Sequence, residues 1–351
     1  MRRRLLLLAA NMAAAPLPLG ALARALPAEP RPASRALPPP PAFAAGWKEI
    51  FREDFDALSL RTCPGADDSL ITPANNDRGY PDIKLVWPGP VPKEIGGYKY
   101  GEGRWSPHGK WPNASLAYPA YGDEPKPAFL NPRHPALTRI GYSPFKVEDS
   151  VLTTTLEAPP PELARVMPPN PATGEPFRWV SGSLTTRWSF YFQFGYMECL
   201  AWFPPGLVDK GYFAAPLWTL AQNGKWPPEI DASEIVNDRS HLTVIDGKGG
   251  RGIWTEPGIG GRWVRLGALW EPGRVTKYVD GQPAGAPETS VAAYDTDTVD
   301  TMHHLVHSLS CGGKWAGANV DGLPHLMRCD WIRVLQPPGG KFYNSTGPHP
   351  A

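Results

Sequence analysis

Three acids, Glu229, Asp231 and Glu234, stand in the run Glu229-Ile230-Asp231-Ala232-Ser233-Glu234, with Ile235 and Val236 following and Trp218 upstream. The surrounding residues read as the interior of a sheet, and buried acids without a role are rare. Side chains alternate along a strand, so Glu229 and Asp231 share one face while Ile230 and Ala232 take the other. Strict alternation would send Glu234 to the apolar face. One extra residue at Ser233, a β-bulge, returns it to the acidic one.

Three carboxyl groups on one face suit glycoside hydrolysis with retention, which needs a nucleophilic carboxylate and a protonated carboxylic acid about 5 Å apart. With the bulge absorbing one residue, the Cα atoms of the two glutamates lie about 13 Å apart at ~3.3 Å per residue, and two side chains leaning together close most of that gap. Asp231 between them crowds both with negative charge and helps keep one glutamic acid protonated near neutral pH. A solvated acidic edge strand is the competing reading.

Around this run the chain resembles the family 16 glycoside hydrolases, whose signature is Glu-x-Asp-x-(x)-Glu on a strand of a curved β-sandwich. The spacing here is similar to the bulged branch of laminarinases, agarases, carrageenases and exopolysaccharide glycanases. Ser181-Gly182-Ser183-Leu184, Phe194-Gly195-Tyr196-Met197-Glu198, Ala215-Pro216-Leu217-Trp218 and Lys225-Trp226-Pro227-Pro228 precede the motif in the family's order. Tyr278-Val279-Asp280-Gly281, Gly312-Gly313-Lys314-Trp315 and Cys329-Asp330-Trp331-Ile332-Arg333-Val334 follow it. The likeness covers roughly residues 46 to 336. It implies an all-β jelly-roll sandwich of the concanavalin A-like type with a concave substrate cleft. It also implies Glu229 as nucleophile, Glu234 as general acid and then base, and Asp231 as electrostatic partner of the nucleophile. No cofactor is required, although Asp54 and Asp330 match positions where the family often holds a structural calcium. Two positions depart from the family: Val264 replaces a usual histidine, and Ser308 a frequent asparagine before the Gly-Gly-x-Trp segment.

Fourteen tryptophans supply flat apolar faces on which sugar rings stack. Most should be core. Trp226, in a Gly-Lys-Trp-Pro-Pro loop, and Trp315, in a Gly-Gly-Lys-Trp loop, are the strongest candidates for substrate contact. Trp218 is a third, with core packing as its competing role. His303 and His307 fall on one face of a strand and His304 on the other, so they do not converge on a metal. Cys63, Cys199, Cys311 and Cys329 lack Cys-x-x-Cys spacing, which argues against zinc and leaves three disulfide pairings and free thiols all open.

The elements that must position these residues are short strands. With 44 Pro and 36 Gly in 351 residues, helix is disfavoured and irregular loops are expected. A net charge of +1 gives no field for nucleic acid or an anionic membrane. Residues 1–25 read as a signal peptide, with Arg2-Arg3-Arg4 before an apolar stretch and small residues at Ala21, Ala23 and Ala25. Residues 26–45 read as a Pro- and Ala-rich tether outside the fold, 46–336 as the catalytic domain, and 337–351 as a tail. Within the domain, 61–145 reads as a loop-rich excursion walling the cleft, with a small separate domain as the alternative. Residues 159–176 read as a Pro-rich loop. The expectation is a secreted or periplasmic monomer, free of the membrane once its signal is cleaved. It would act as an endo-β-glycosidase on a β-1,3-containing glucan or an exopolysaccharide. Transglycosylation at the same triad and a non-catalytic sugar-binding sandwich remain open.

Overall fold

The computed structural model describes residues 37–61, 94–95, 98–99, 103–107, 116–120, 126–170, 173–187, 189–222, 226–245, 250–255, 257–289 and 302–345. The signal-peptide expectation and Cys63 lie outside these residues.

Two antiparallel sheets pack face to face as a jelly-roll sandwich. One is built around Gly195–Trp202, flanked by Trp263–Glu271 and His325–Gln336, with Arg274–Val279 and Val151–Leu156 further out. The other runs from Gly250–Trp254 through Arg239–Ile245, Glu229–Val236 and Tyr212–Ala221 to His303–Cys311. Between them lies one continuous apolar core, to which the acid-bearing strand contributes Ile230, Ala232 and Ile235 and the opposite sheet Cys199, Leu266, Ala268, Val275 and Ile332. Period-two alternation is therefore what aims the acids outward: each apolar residue committed to the core turns its neighbour to the open face.

Several boundaries differ from expectation. Residues 37–45 are not a free tether. This described part of the 26–45 segment lies on the outer face of the sheet built around Gly195–Trp202, with Ala42–Ala44 as a turn of 3-10 helix, Ala44 buried among Tyr196, Leu269, Tyr278 and Leu335, and Arg333 Nη1 donating to Pro38 O at 3.0 Å. The composition hid this because the apolar partners lie far away in sequence. The C-terminal boundary also moves, since Lys341–Asn344 pairs with Phe190–Gln193 and belongs to the sandwich.

The described parts of the 61–145 excursion are stitched into the body. Trp105 is fully buried against Phe51 and Phe55 and donates to Glu53 Oε2 at 2.8 Å, while Ser106–Pro107 adds a strand to the acid-bearing sheet. Further on, Ala117–Pro119, Ala128–Leu130 and Val180–Ser181 form a three-stranded sheet. Leu116, Leu130, Leu137, Leu163 and Phe177 make a second small core beneath it. The 159–176 loop thus carries a short helix, Pro161–Ala164, that helps close this core. Proline at the first helical positions is tolerated because those N–H groups lack intrahelical partners.

Candidate active site

The predicted bulge is present. Across to Arg239–Ile245, Asp231 faces Thr243 and Glu234 faces His241, so Ala232 and Ser233 together are opposed by one residue. On the other flank Asp231 faces Trp218 and Ser233 faces Leu217. Both bulge residues turn inward: Ala232 enters the core and Ser233 Oγ meets Ser240 Oγ at 2.6 Å. That doubling of inward residues brings Glu234 back to the face shared by Glu229 and Asp231.

Each acid has its own partners. Trp226 Nε1 donates to Glu229 Oε2 at 2.6 Å, and Asp231 hydrogen-bonds Glu229 from the next outward position. Burial pushes Glu229 up to about 7, with the charge of Glu234 adding to the rise and the bonds from Trp226 and Asp231 opposing it. Asp231 is raised well above the carboxylate range by burial, and then by the charges of Glu229 and Glu234. The two titrate as a pair, and Asp231 is the more strongly raised, so Glu229 is the first of the pair to lose its proton as pH rises.

Glu234 is held differently. Thr243 Oγ1 donates to its Oε2, and His241 Nδ1 sits 2.8 Å from Thr243 Oγ1 and 3.6 Å from Glu234 Oε2. One carboxyl oxygen is thus occupied.

The three tryptophans separate as follows. Trp226 is 63% exposed beside Glu229, and Trp315 is 44% exposed. Trp218 lies opposite Asp231 on the same face but is buried, its Nε1 donating to Ser308 Oγ at 3.1 Å. It forms floor rather than wall. Sequence reasoning missed Trp254, 41% exposed and stacked on Trp315 with ring centroids 5.2 Å apart and planes at 26°. His241 lies 4.2 Å from the Trp254 ring and 5.3 Å from that of Trp315, which ties this aromatic pair to the Glu234 end of the site. The signal for Trp254 was weak: Gly-Arg-Gly-Ile-Trp alternates poorly and carries no motif.

Asp54 pairs with Arg52 at 2.9 Å, and Asp330 is buried on the strand His325–Gln336. Among the described residues no group of three His, Cys, Asp or Glu side chains is placed to hold a metal ion. Calcium at Asp54 and Asp330 remains what the resemblance implies. His303 and His307 face the core side, near Trp270 and Thr154, whereas His304 meets Gln222. Cys199, Cys311 and Cys329 are buried free thiols.

No protein-family model matches the chain. Two relatives from Rhizobium meliloti (strain 1021) are similar to it. Endo-1,3-1,4-beta-glycanase ExsH is 31% identical over 217 residues, covering 59% of this chain and 42% of the relative. Endo-1,3-1,4-beta-glycanase EglC is 30% identical over 243 residues, covering 66% of this chain and 47% of the relative. The chain therefore spans less than half the length of either. Among solved structures, a glutamate-to-serine mutant of SCLam, a non-specific endo-beta-1,3(4)-glucanase from family GH16, matches with a TM-score of 0.51 at 20% identity, over 85% of this chain and 98% of that one. The fold is that of a family 16 jelly roll, and the sequence relatives bear the names of β-glycanases, in agreement with the family 16 resemblance of the motif.

Proposed function

We propose that this protein is an exported retaining endo-β-glycosidase that cleaves a β-linked glucan or exopolysaccharide. The observation that carries the reading is the bulge, which brings Glu229, Asp231 and Glu234 to one face while giving each glutamate a different set of partners.

In the first step a Glu229 carboxylate oxygen attacks the anomeric carbon. The bond to the glycosidic oxygen breaks as Glu234 gives that oxygen its proton, leaving a glycosyl ester on Glu229. The indole N–H of Trp226 and the carboxyl of Asp231 hold the nucleophile's orientation. In the second step Glu234, now a carboxylate, takes a proton from water as the water oxygen attacks the same carbon and frees Glu229. Thr243, occupying one oxygen of Glu234, leaves the other to serve as acid and then base. Exposed Trp226 beside Glu229 and the Trp254–Trp315 pair beside Glu234 offer stacking faces on both sides of the scissile bond.

The endo-1,3-1,4-beta-glycanase names of the relatives and the β-1,3(4)-glucanase fold neighbour favour a mixed or β-1,3-linked glucan, or an exopolysaccharide with β-glucosyl links. The export proposal rests on the charged and apolar N-terminus; among the described residues no helix is long and apolar enough to cross a membrane. Reducing-end release from laminarin, lichenan, agarose, carrageenan and bacterial exopolysaccharides, with the product anomer read by NMR, tests the proposal. Retention on a β-glucan is expected. Silence on every glycan, or an inverted anomer, would overturn it.

A further inference from the structure

Lys277 lies on the strand Arg274–Val279, on the side that faces the sandwich interior: Val275 belongs to the core and Val279 packs against it. Its cross-strand neighbour is Ala268, a small core residue that leaves room for the four-carbon stem. The lysine is wholly buried, and its Nζ crosses the interior to donate to Ser240 Oγ at 2.7 Å. Ser240 Oγ in turn lies 2.6 Å from Ser233 Oγ. Ser233 is one of the two bulge residues and the immediate neighbour of Glu234. A chain of hydrogen bonds thus joins one sheet to the underside of the bulge in the other.

This arrangement is costly and unneeded for packing. An ammonium group in an apolar interior loses most of its hydration, and an apolar side chain of similar size would fill the place at lower cost. Nor is the amine what joins the two serines, whose hydroxyls hydrogen-bond each other directly. The charge that Lys277 senses is that of Glu234, and the attraction is reciprocal.

We propose that Lys277 is a positioning residue for the acid–base carboxyl, holding the bulge from inside the sandwich through Ser240 and Ser233 and biasing Glu234 electrostatically from beneath the sheet. This rests on the glycosidase reading for its kinetic consequence, though the physical link to Glu234 does not. Burial draws the lysine down to about 7, so its charge, and with it the bias on Glu234, varies near neutral pH.

The test uses the full chain with Lys277→Met, which keeps the volume and removes the donor. On a glycan with a poor leaving group kcat should fall about ten- to a hundredfold, the scale of a misplaced catalytic group, with KM little changed. The alkaline limb of the kcat/KM profile should move to higher pH, because losing a positive neighbour favours the protonated form of a carboxyl group. Ser240→Ala, which cuts the chain but keeps the lysine, should reproduce the kcat loss and serves if the methionine variant does not fold. A titration of 13C-labelled glutamate carboxyls, with Glu234 assigned by its absence in Glu234→Gln, reads the same link without turnover. A shifted Glu234 titration in Lys277→Met is expected even if no glycan is cleaved, in which case the glycosidase reading fails and the link survives. An unshifted Glu234 titration, or wild-type kcat and pH profile in both variants of an active enzyme, would overturn the proposal.

Discussion

At the residue scale the two glutamates are chemically unlike, and their partners explain why. Glu229 has two donors, Trp226 and Asp231, both favouring its ionised form, while Glu234 has one oxygen tied to Thr243. Glu229→Ala should therefore abolish turnover, and azide or formate filling the void should restore part of it with inverted product; an unchanged rate would remove the nucleophile assignment. The same environment has a stability signature. The folded value of Glu229, about 7, lies above its ordinary 4.5, so the native state holds more protons than the unfolded chain between these values. The group's contribution is full below about 4.5 and is lost as pH rises through 7. Glu229→Gln should then melt higher than wild type above pH 7, by thermal denaturation across pH 4 to 8, with the advantage shrinking on acidification. For the tryptophans, exposure decides between stacking and packing. Trp226→Ala and Trp315→Ala should leave the sugar-free melting temperature nearly unchanged and weaken long oligosaccharides by about 1–3 kcal/mol, the scale of a ring stacked on an aromatic. A core role would instead cost about 3–5 kcal/mol of stability. Calorimetry with and without oligosaccharide separates the two.

At the element scale the site is a product of register. The bulge was legible from a strand period broken by one residue, because three acids and three apolar residues could each reach a consistent face in one way only. The neighbouring strand was not legible to the same degree. Gly250–Trp254, which carries two glycines and no motif, pairs along Arg239–Ile245 and delivers Trp254 to the Glu234 end. Its glycine at 252 has a physical reason: a Cβ there would sit 1.6 Å from Leu242 O and 2.7 Å from the His241 ring. Gly252→Ala should push this edge strand off its partner, displacing Trp254 and loosening His241 while the core stays intact. Expected outcomes are a lower kcat and weaker oligosaccharide binding with a melting temperature reduced by only a few degrees. Collapse of the whole fold, read by circular dichroism, would contradict the picture of an edge strand that serves the site more than the core. His303, His304 and His307 show the complementary success, since period two alone separated the pair facing the core from the one meeting Gln222.

At the scale of the whole molecule, what the sequence concealed is whatever depends on contacts between distant segments. The small core under Ala128–Leu130 draws on residues from Leu116 to Val180, and no local pattern marks it. The strap formed by 37–45 is the clearer case, because proline and alanine composition describes an unfolded tether equally well. What makes it part of the fold is the outer sheet face it covers: Phe43 meets the rings of Trp47, Tyr196 and Tyr278 at 5.1–5.7 Å, and Ala44 is sealed beneath. Below it, Glu198 is fully buried between Arg265 and Arg333, and Arg333 also bonds Pro38 O. Water reaching that ion cluster would weaken it, since charge pairs gain most where solvent is excluded. Phe43→Ala should accordingly cost about 1–2 kcal/mol from lost apolar burial and ring contacts. A chain beginning at residue 46 should lose more, because the carbonyl partner of Arg333 goes as well. Neither change touches the sheet that carries the acids, so kcat on a β-glucan should hold at temperatures where both variants are folded. Urea denaturation of the two variants beside the chain from residue 26 measures the difference. Equal midpoints would mean that the strap rests on the sheet without holding it, and a kcat loss matching the stability loss would mean that the two sheets are coupled more tightly than their shared core implies.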